Sequence, residues 1–125
     1  MAKYLIRVIV VALVCMVFTA VNNCNIGIIS QLAAQNDNNW IGPLSMGLIF
    51  LGSGLGSFYN KYIQKYPFNR IIFIGALGWD GYIALSVLFL FIGFSSWVNS
   101  VIVIGSLVCG VTVSLFYNGF FNYVN

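Results

Sequence analysis

The side chains that could carry chemistry in this 125-residue chain are two acids, five cations and three cysteines. The sequence has no histidine and no glutamate, and its acids are Asp37 and Asp80. This set does not provide histidine-activated nucleophiles, paired carboxylates or metal sites built from histidine and carboxylate. Cys15, Cys24 and Cys109 are odd in number and widely spaced, which predicts neither a metal site nor a disulfide framework. We therefore expect a protein that is not an enzyme and holds no metal and no cofactor.

Asp80 is the strongest single candidate, because it is the tenth residue of an apolar segment at 71–91. A carboxylate in mid-membrane costs about 2.5–3.5 kcal/mol on the permissive insertion scale. One interpretation is a proton or cation site, and the other is an acid hydrogen-bonded to Ser, Tyr or backbone groups of a neighbouring helix. Arg7 is the only cation inside an apolar segment, and it lies close enough to the start to snorkel. An Arg7–Asp80 pair is therefore disfavoured by depth.

The amino-acid composition indicates that the chain, including Asp80, lies in a membrane. The chain is 61% hydrophobic and 6% charged, with a mean hydropathy of +0.98. A soluble domain carries about 25% charged residues, so we expect an integral membrane protein whose first partner is the lipid bilayer. The net charge of +3 comes from too few cations to form a phosphate-binding face, which argues against nucleic acid as a partner.

Four apolar segments reach the length of about 20 residues that crosses a bilayer. They lie at about 4–24, 41–59, 71–91 and 98–121. Backbone groups in lipid need internal partners and no segment alternates polar with apolar residues, so each is predicted to be a helix. The fold class is all-α, with residues 1–125 as one transmembrane domain. The first helix could continue toward Leu32, and the asparagine-rich residues after Cys24 otherwise suggest a solvated outer loop.

The cations predict the orientation of the four helices. Segments 25–40 and 92–98 contain no cation, and the five cations are Lys3, Arg7, Lys61, Lys65 and Arg70. All five fall on one side, which the positive-inside rule makes cytoplasmic, so both termini are expected there. The alternative for the first segment is a cleaved signal peptide. Against it, Phe18 stands two residues before Ala20, where a small residue is needed.

Two helices carry small and polar residues at regular spacing. Gly52 and Gly56 stand four apart on the second helix, which predicts close helix packing, with homodimerisation as the alternative. The fourth helix repeats small or polar residues every four positions, and the first helix has a shorter polar patch. We expect these to line a cavity, or else to hold helices together as hydrogen-bonding glue. The candidate cavity residues are Thr19, Asn22, Ser106, Ser114, Asn118 and Asn122, with Gly110 as a packing residue.

The basic loop "GSFYNKYIQKYPFNR" (56–70) resembles the signature between the second and third helices of the major facilitator superfamily. That signature is a glycine, an acid with a basic residue, and further basic residues. Here Gly56, Lys61, Lys65 and Arg70 match, whereas Asn60 stands where the superfamily has its aspartate. The resemblance therefore implies the fold, while the amide implies that the acid's part in the transport cycle is missing.

The wider match resembles the uncoordinated-93-like family of that superfamily, whose members are regarded as ion-channel regulatory proteins. It is carried by "FTAVNNCNIGIIS", by the stretch from "GPLSMG" to "IGALGW" and by "YNGFFNYV", which has Phe120 and Phe121 in place of Q-G. The family has twelve helices, so the resemblance implies that this chain is the first third of a larger protein. The implied function is transporter-like or ion-channel regulatory, and the implied partners are the remaining helices, another membrane subunit or an ion channel. The alternative is a small four-helix accessory or scaffold subunit.

Overall fold

The computed structural model describes residues 2–124, apart from the side chain of Asn60, and every regular element in that range is a helix. Four long helices are separated by short turns, and a one-turn helix interrupts the basic loop. Their bounds are α1 Ala2–Gln35, α2 Ile41–Phe58, α3 Asn60–Ile63, α4 Phe68–Ile92 and α5 Ser96–Val124. The predicted all-α class is confirmed, and α1, α2, α4 and α5 are each long and apolar enough to cross a membrane.

Helix α1 extends well beyond the end predicted at Cys24. It has 34 residues, and at a rise of about 1.5 Å per residue it is roughly 51 Å long, against a hydrocarbon core of about 30 Å. Its second half stays helical because Ile26, Ile29 and Ala33 pack against the other helices. The solvated outer loop expected after Cys24 is therefore corrected to a turn over residues 36–40.

Local sequence accounts for the ends of the other helices. Pro43 lies in the first turn of α2, where its missing N–H removes no hydrogen bond. Pro67, in an extended conformation, precedes the first residue of α4. Gly93 ends α4 with a φ of 84°, a conformation that glycine adopts without the steric cost of a Cβ. The observed α4 begins three residues before the predicted start at 71, and α5 extends the predicted 98–121 at both ends.

Helix α5 is the centre of the bundle, because α2 and α4 both pack along it. Glycines permit both approaches. A Cβ on Gly52 of α2 would contact the Leu107 carbonyl oxygen, and one on Gly75 of α4 would lie 2.7 Å from the Phe116 amide nitrogen. Helix α1 packs against this three-helix unit more lightly, chiefly through its second half. The first half of α1 is largely exposed.

Contacts at the two ends of the bundle define an antiparallel arrangement. At one end, Arg7 of α1 lies 5.4 Å from the ring centroid of Tyr123 in α5, which also contacts the ring of Phe68 in α4. At the other end, the Asn99 side chain donates a hydrogen bond to the Asn38 side chain over 3.3 Å. The start of α1 and the end of α5 therefore lie on the same side of the bundle.

Candidate functional site

A polar pocket opens between α1, α2 and α5 and reaches Trp79 of α4. We define it by its polar lining residues, which are Thr19, Asn22, Asn23, Ser53, Trp79 and Tyr117. Its volume is about 450 Å³, and apolar side chains such as Ile26, Met46 and Phe50 form the rest of its wall. It lies near mid-membrane, because Trp79 directly precedes the central residue of α4.

Two residues that line this pocket each carry a buried polar atom with no hydrogen-bond partner among the described residues. These atoms are the Asn22 side-chain oxygen and the Trp79 indole nitrogen. Asn22 is 8% exposed and Trp79 is 2% exposed, and neither atom is freely solvated. Buried polar groups are normally paired, and an unpaired one costs about 1–3 kcal/mol. An unpaired acceptor and an unpaired donor thus belong to the residues of the pocket wall.

The wall beside these atoms is ordered by hydrogen bonding and aromatic packing. The hydroxyl groups of Thr19 and Tyr117 lie 2.9 Å apart and join α1 to α5. The Trp79 ring contacts Phe18 at a centroid distance of 5.2 Å and Phe116 at 5.7 Å. No residue that the structure places in the pocket lining carries a charge. The arrangement can therefore hold a neutral group that donates and accepts hydrogen bonds.

Comparisons with protein-family models, curated proteins and solved structures give no match. The assignment of a function to this pocket therefore depends on its geometry and on the sequence resemblance.

Of the predicted cavity residues, only Thr19 and Asn22 line the polar pocket. Ser106 is fully buried, lies 3.0 Å from the Tyr82 hydroxyl group and donates to the Ile102 carbonyl oxygen over 2.8 Å. These bonds place it between α4 and α5. In this position Ser106 acts as the hydrogen-bonding glue that the sequence offered as its alternative role.

The other predicted cavity residues of α5 lie toward α2 or outside the bundle. The Ser114 hydroxyl group lies 3.4 Å from that of Ser57, and the Asn118 side chain is 3.5 Å from Ser114. Asn122 is exposed. Successive positions four apart on a helix drift by about 40°, because each residue turns about 100°. The drift carries the row from the centre of the bundle at Ser106 to its surface at Asn122.

The glycines of α2 and α5 lie at the contact between these helices. A Cβ on Gly110 would contact the Ile49 carbonyl oxygen and lie 3.0 Å from the Gly52 Cα. A Cβ on Gly56 would lie 2.7 Å from the Ser114 Cβ. Gly52, Gly56 and Gly110 therefore bring two helix backbones close together, which is the geometry that small residues four apart permit.

Asp80 lies on the outer surface of α4, away from the polar pocket. Its side chain is exposed, whereas the adjacent Trp79 is buried. It has no hydrogen-bond or ion-pair partner within residues 2–124. Arg7 instead contacts Tyr123 at the end of the bundle. The expected packing of Asp80 against Ser or Tyr of a neighbouring helix is not found within the described part of the chain.

The basic loop contains α3 and carries exposed cations. Lys61, Lys65 and Arg70 are all exposed, and the Lys65 ammonium group lies 5.9 Å from the Tyr62 ring centroid. The side chain of Asn60 lies outside the described residues. Arg70 lines a groove of about 310 Å³ together with Ile71 and Leu115. The loop thus contains the cations predicted to mark one membrane interface.

Sequence reasoning missed a second set of polar contacts in the core. The Asn25 side chain donates to the Ser86 hydroxyl group over 3.2 Å, which ties α1 to α4. Ser86 in turn donates to the Tyr82 carbonyl oxygen over 2.8 Å. Asn25 follows a polar run and resembled a loop residue, so no local pattern indicated its burial. Trp79 and Tyr117 were likewise missed as pocket residues, because aromatic residues in apolar helices carry no distinguishing spacing.

Proposed function

We propose that this multi-pass membrane protein is transporter-like or ion-channel regulatory, is similar to the uncoordinated-93-like family, and is not an enzyme. We further propose that its polar pocket takes a small neutral solute. The observation that carries this proposal is that Asn22 and Trp79, which line the same pocket, carry an unpaired acceptor and an unpaired donor. A solute that reached both atoms would remove two unpaired groups at once.

The size and chemistry of the pocket support a small uncharged ligand. Ligand sites commonly enclose about 300–1,000 Å³ and combine apolar walls with few polar groups. The polar pocket, at about 450 Å³, falls in that range. The described lining has no charged group to hold an ion, and its hydroxyl, amide and indole groups exchange hydrogen bonds with neutral solutes. Neutral amides and polyols fit this lining better than ions do.

Two further features support the resemblance to a larger transporter-like fold. Substrate pathways in such proteins lie between repeated helical halves, so four helices need additional ones to complete a pathway. The first half of α1 presents apolar side chains on most of its surface, including Leu5, Leu13 and Val17, each more than half exposed. Lipid or the remaining helices of a twelve-helix protein would cover this surface. The amide of Asn60 in place of the usual acid favours a regulatory or uncoupled role over ion-driven transport.

The proposal is tested by solute binding to the protein in lipid nanodiscs. We expect nanodiscs that contain the protein to bind more of a labelled neutral amide or polyol than empty nanodiscs do. Asn22→Leu should remove this binding, because it replaces the acceptor and fills the pocket. Val17→Leu, on an exposed position of the same helix, should retain it. Binding equal to that of empty nanodiscs for the unmodified protein would refute the proposed solute site.

The alternative is an accessory or scaffold subunit of a larger membrane complex. Gly47 and Gly54 of α2 favour it, because the space beside them is open and small residues let another helix approach closely in a membrane. This alternative predicts no solute binding and co-purification with another membrane protein after mild detergent extraction. The binding experiment therefore separates the two functions.

A further inference from the structure

Asp80 lies at the midpoint of its helix. Within α4, Phe68–Ile92, twelve residues precede it (68–79) and twelve follow it (81–92). At about 1.5 Å per residue it lies roughly 18 Å from either end of the helix, close to the centre of the hydrocarbon core. No other position along α4 is farther from the headgroups on both sides.

The surface around Asp80 faces away from the rest of the bundle. Asp80 is exposed, and so are Phe73 and Val87, which lie on the same side of α4. None of the described residues pairs with its carboxyl group, so the only carboxyl group inside the described long helices faces the membrane. Ionisable residues at this depth almost always pair or face a protein interior. This surface of α4 is therefore incomplete in the isolated bundle.

The shape of this surface permits close approach of another helix. Gly81 and Ala84 follow Asp80 by one and four residues, and all three are exposed. Gly81 has open space where a Cβ would be. Small residues let helix backbones pack closely in membranes. Ala76, four residues before Asp80, packs against the core and is not part of this surface. We call the set Asp80, Gly81 and Ala84 the acidic row.

A second copy of this chain does not supply the missing charge. The cation nearest to mid-membrane is Arg7, which is five residues from the start of α1 and contacts Tyr123, the penultimate residue of α5. Arg7 thus lies about 8 Å from the start of its helix, whereas Asp80 lies about 18 Å from the start of α4. A symmetric dimer would leave both Asp80 carboxyl groups opposite apolar residues or each other.

We propose that the acidic row is the docking surface for a transmembrane helix of another membrane protein, one that carries Lys or Arg at mid-depth. Charge complementarity defines this partner, because a cation at the level of Asp80 would neutralise it where water is absent. The small flanking residues would let the two backbones approach within hydrogen-bonding reach of a long basic side chain. The inference is independent of the polar pocket, which lies on a different side of α4.

The test measures binding of model helices to the protein in lipid nanodiscs. The probes are a polyleucine peptide with one central Lys and the same peptide with Leu at that position, and binding is followed by energy transfer. We expect the Lys peptide to bind at least about tenfold more tightly, which corresponds to about 1.4 kcal/mol. Asp80→Asn, which keeps the shape and removes the charge, should abolish the difference. Asp37→Asn, in the turn after α1, should preserve it.

Two further variants test whether a loss of peptide binding could come from misfolding. Ala84→Leu retains the carboxyl group but blocks close approach at an exposed site, so it should weaken binding of the Lys peptide. Asp80→Lys should reverse the preference and favour a polyleucine peptide with a central Asp. Equal binding of the Lys and Leu peptides would overturn the proposal. So would Lys-peptide binding that Asp80→Asn does not change, or self-association of the chain that excludes the peptide.

Discussion

Gly52 on α2 is the position where one added methyl group tests the packing of α2 against α5. In Gly52→Ala, the new Cβ would contact the carbonyl oxygen of Leu107. It would also lie 3.1 Å from the Gly110 Cα and 3.1 Å from the Val111 amide nitrogen. All three are backbone atoms, so no change of rotamer relieves the contacts. The two helices must move apart and lose the packing along their interface.

The expected magnitude follows from two opposing effects. Overpacking a tight contact costs about 1–3 kcal/mol. Replacing glycine by alanine in a helix interior favours folding by about 1 kcal/mol. Gly54, two residues further along α2, has open space at its Cβ position, so Gly54→Ala carries the second effect alone. We therefore expect Gly52→Ala to be less stable than Gly54→Ala by about 1–3 kcal/mol.

The assay is the free energy of unfolding, measured for both variants and the unmodified protein under the same reversible conditions in mixed micelles. Gly47→Ala, also at an open position, provides a second control. Equal stabilities of Gly52→Ala and Gly54→Ala would refute the close approach of α2 and α5. A destabilisation of all three variants would show that the helix as a whole, not the contact, is sensitive.

Two further predictions concern contacts of α5 with its neighbours. Tyr82→Phe removes the hydroxyl group 3.0 Å from that of Ser106 and should lower the free energy of unfolding by about 0.5–1.5 kcal/mol, as measured by the same unfolding assay. Ser57→Cys combined with Ser114→Cys should form a disulfide on mild oxidation, because the two hydroxyl oxygens lie 3.4 Å apart. Gly54→Cys combined with Ser114→Cys should not form a disulfide. Gel mobility before and after reduction measures disulfide formation in both double variants.

These two predictions have separate ways to fail. Tyr62→Phe, at an exposed tyrosine of the basic loop, should leave stability unchanged, and an equal loss in both tyrosine variants would contradict the buried hydrogen bond. If Gly54→Cys combined with Ser114→Cys cross-links as readily as Ser57→Cys combined with Ser114→Cys, α2 turns a different side toward α5.

Much of the helical framework can be predicted from the sequence, because apolar length and scarce charge act locally. The spans at 41–59 and 71–91 fall within a few residues of α2 and α4. The second half of α1 could not be predicted, because its helix is stabilised by distant contacts such as Asn25 with Ser86. A run of asparagines is typical of an exit from the membrane, and only tertiary packing accounts for the burial of Asn22 and Asn25.

The candidate site, like the helical framework, could be predicted only in part. Thr19 and Asn22 were predicted to line a cavity because polar residues stand out in an apolar helix. The row on α5 could not be resolved further, since an interval of four residues drifts around the helix and the sequence does not say where α2 and α4 contact it. Asp80 was identified from depth alone. Asp80 faces outward because the opposite side of α4 packs against α5. Gly75 and Gly78 permit that packing, since a Cβ at either position would meet Phe116 or Thr112 of α5.

The central claim is that the polar pocket beside Thr19 takes a polar solute, which requires that water reach the pocket at mid-membrane. In a protein with its cysteines replaced by alanine at Cys15, Cys24 and Cys109, we would compare Thr19→Cys with Val17→Cys. Both positions are exposed on α1, but only Thr19 lines the pocket. The measurement is the rate of reaction with a charged, water-soluble thiol reagent, which requires the thiolate and hence water. We predict that Thr19→Cys reacts about tenfold faster or more, because a thiol facing lipid stays protonated. Equal rates at the two positions would contradict the account.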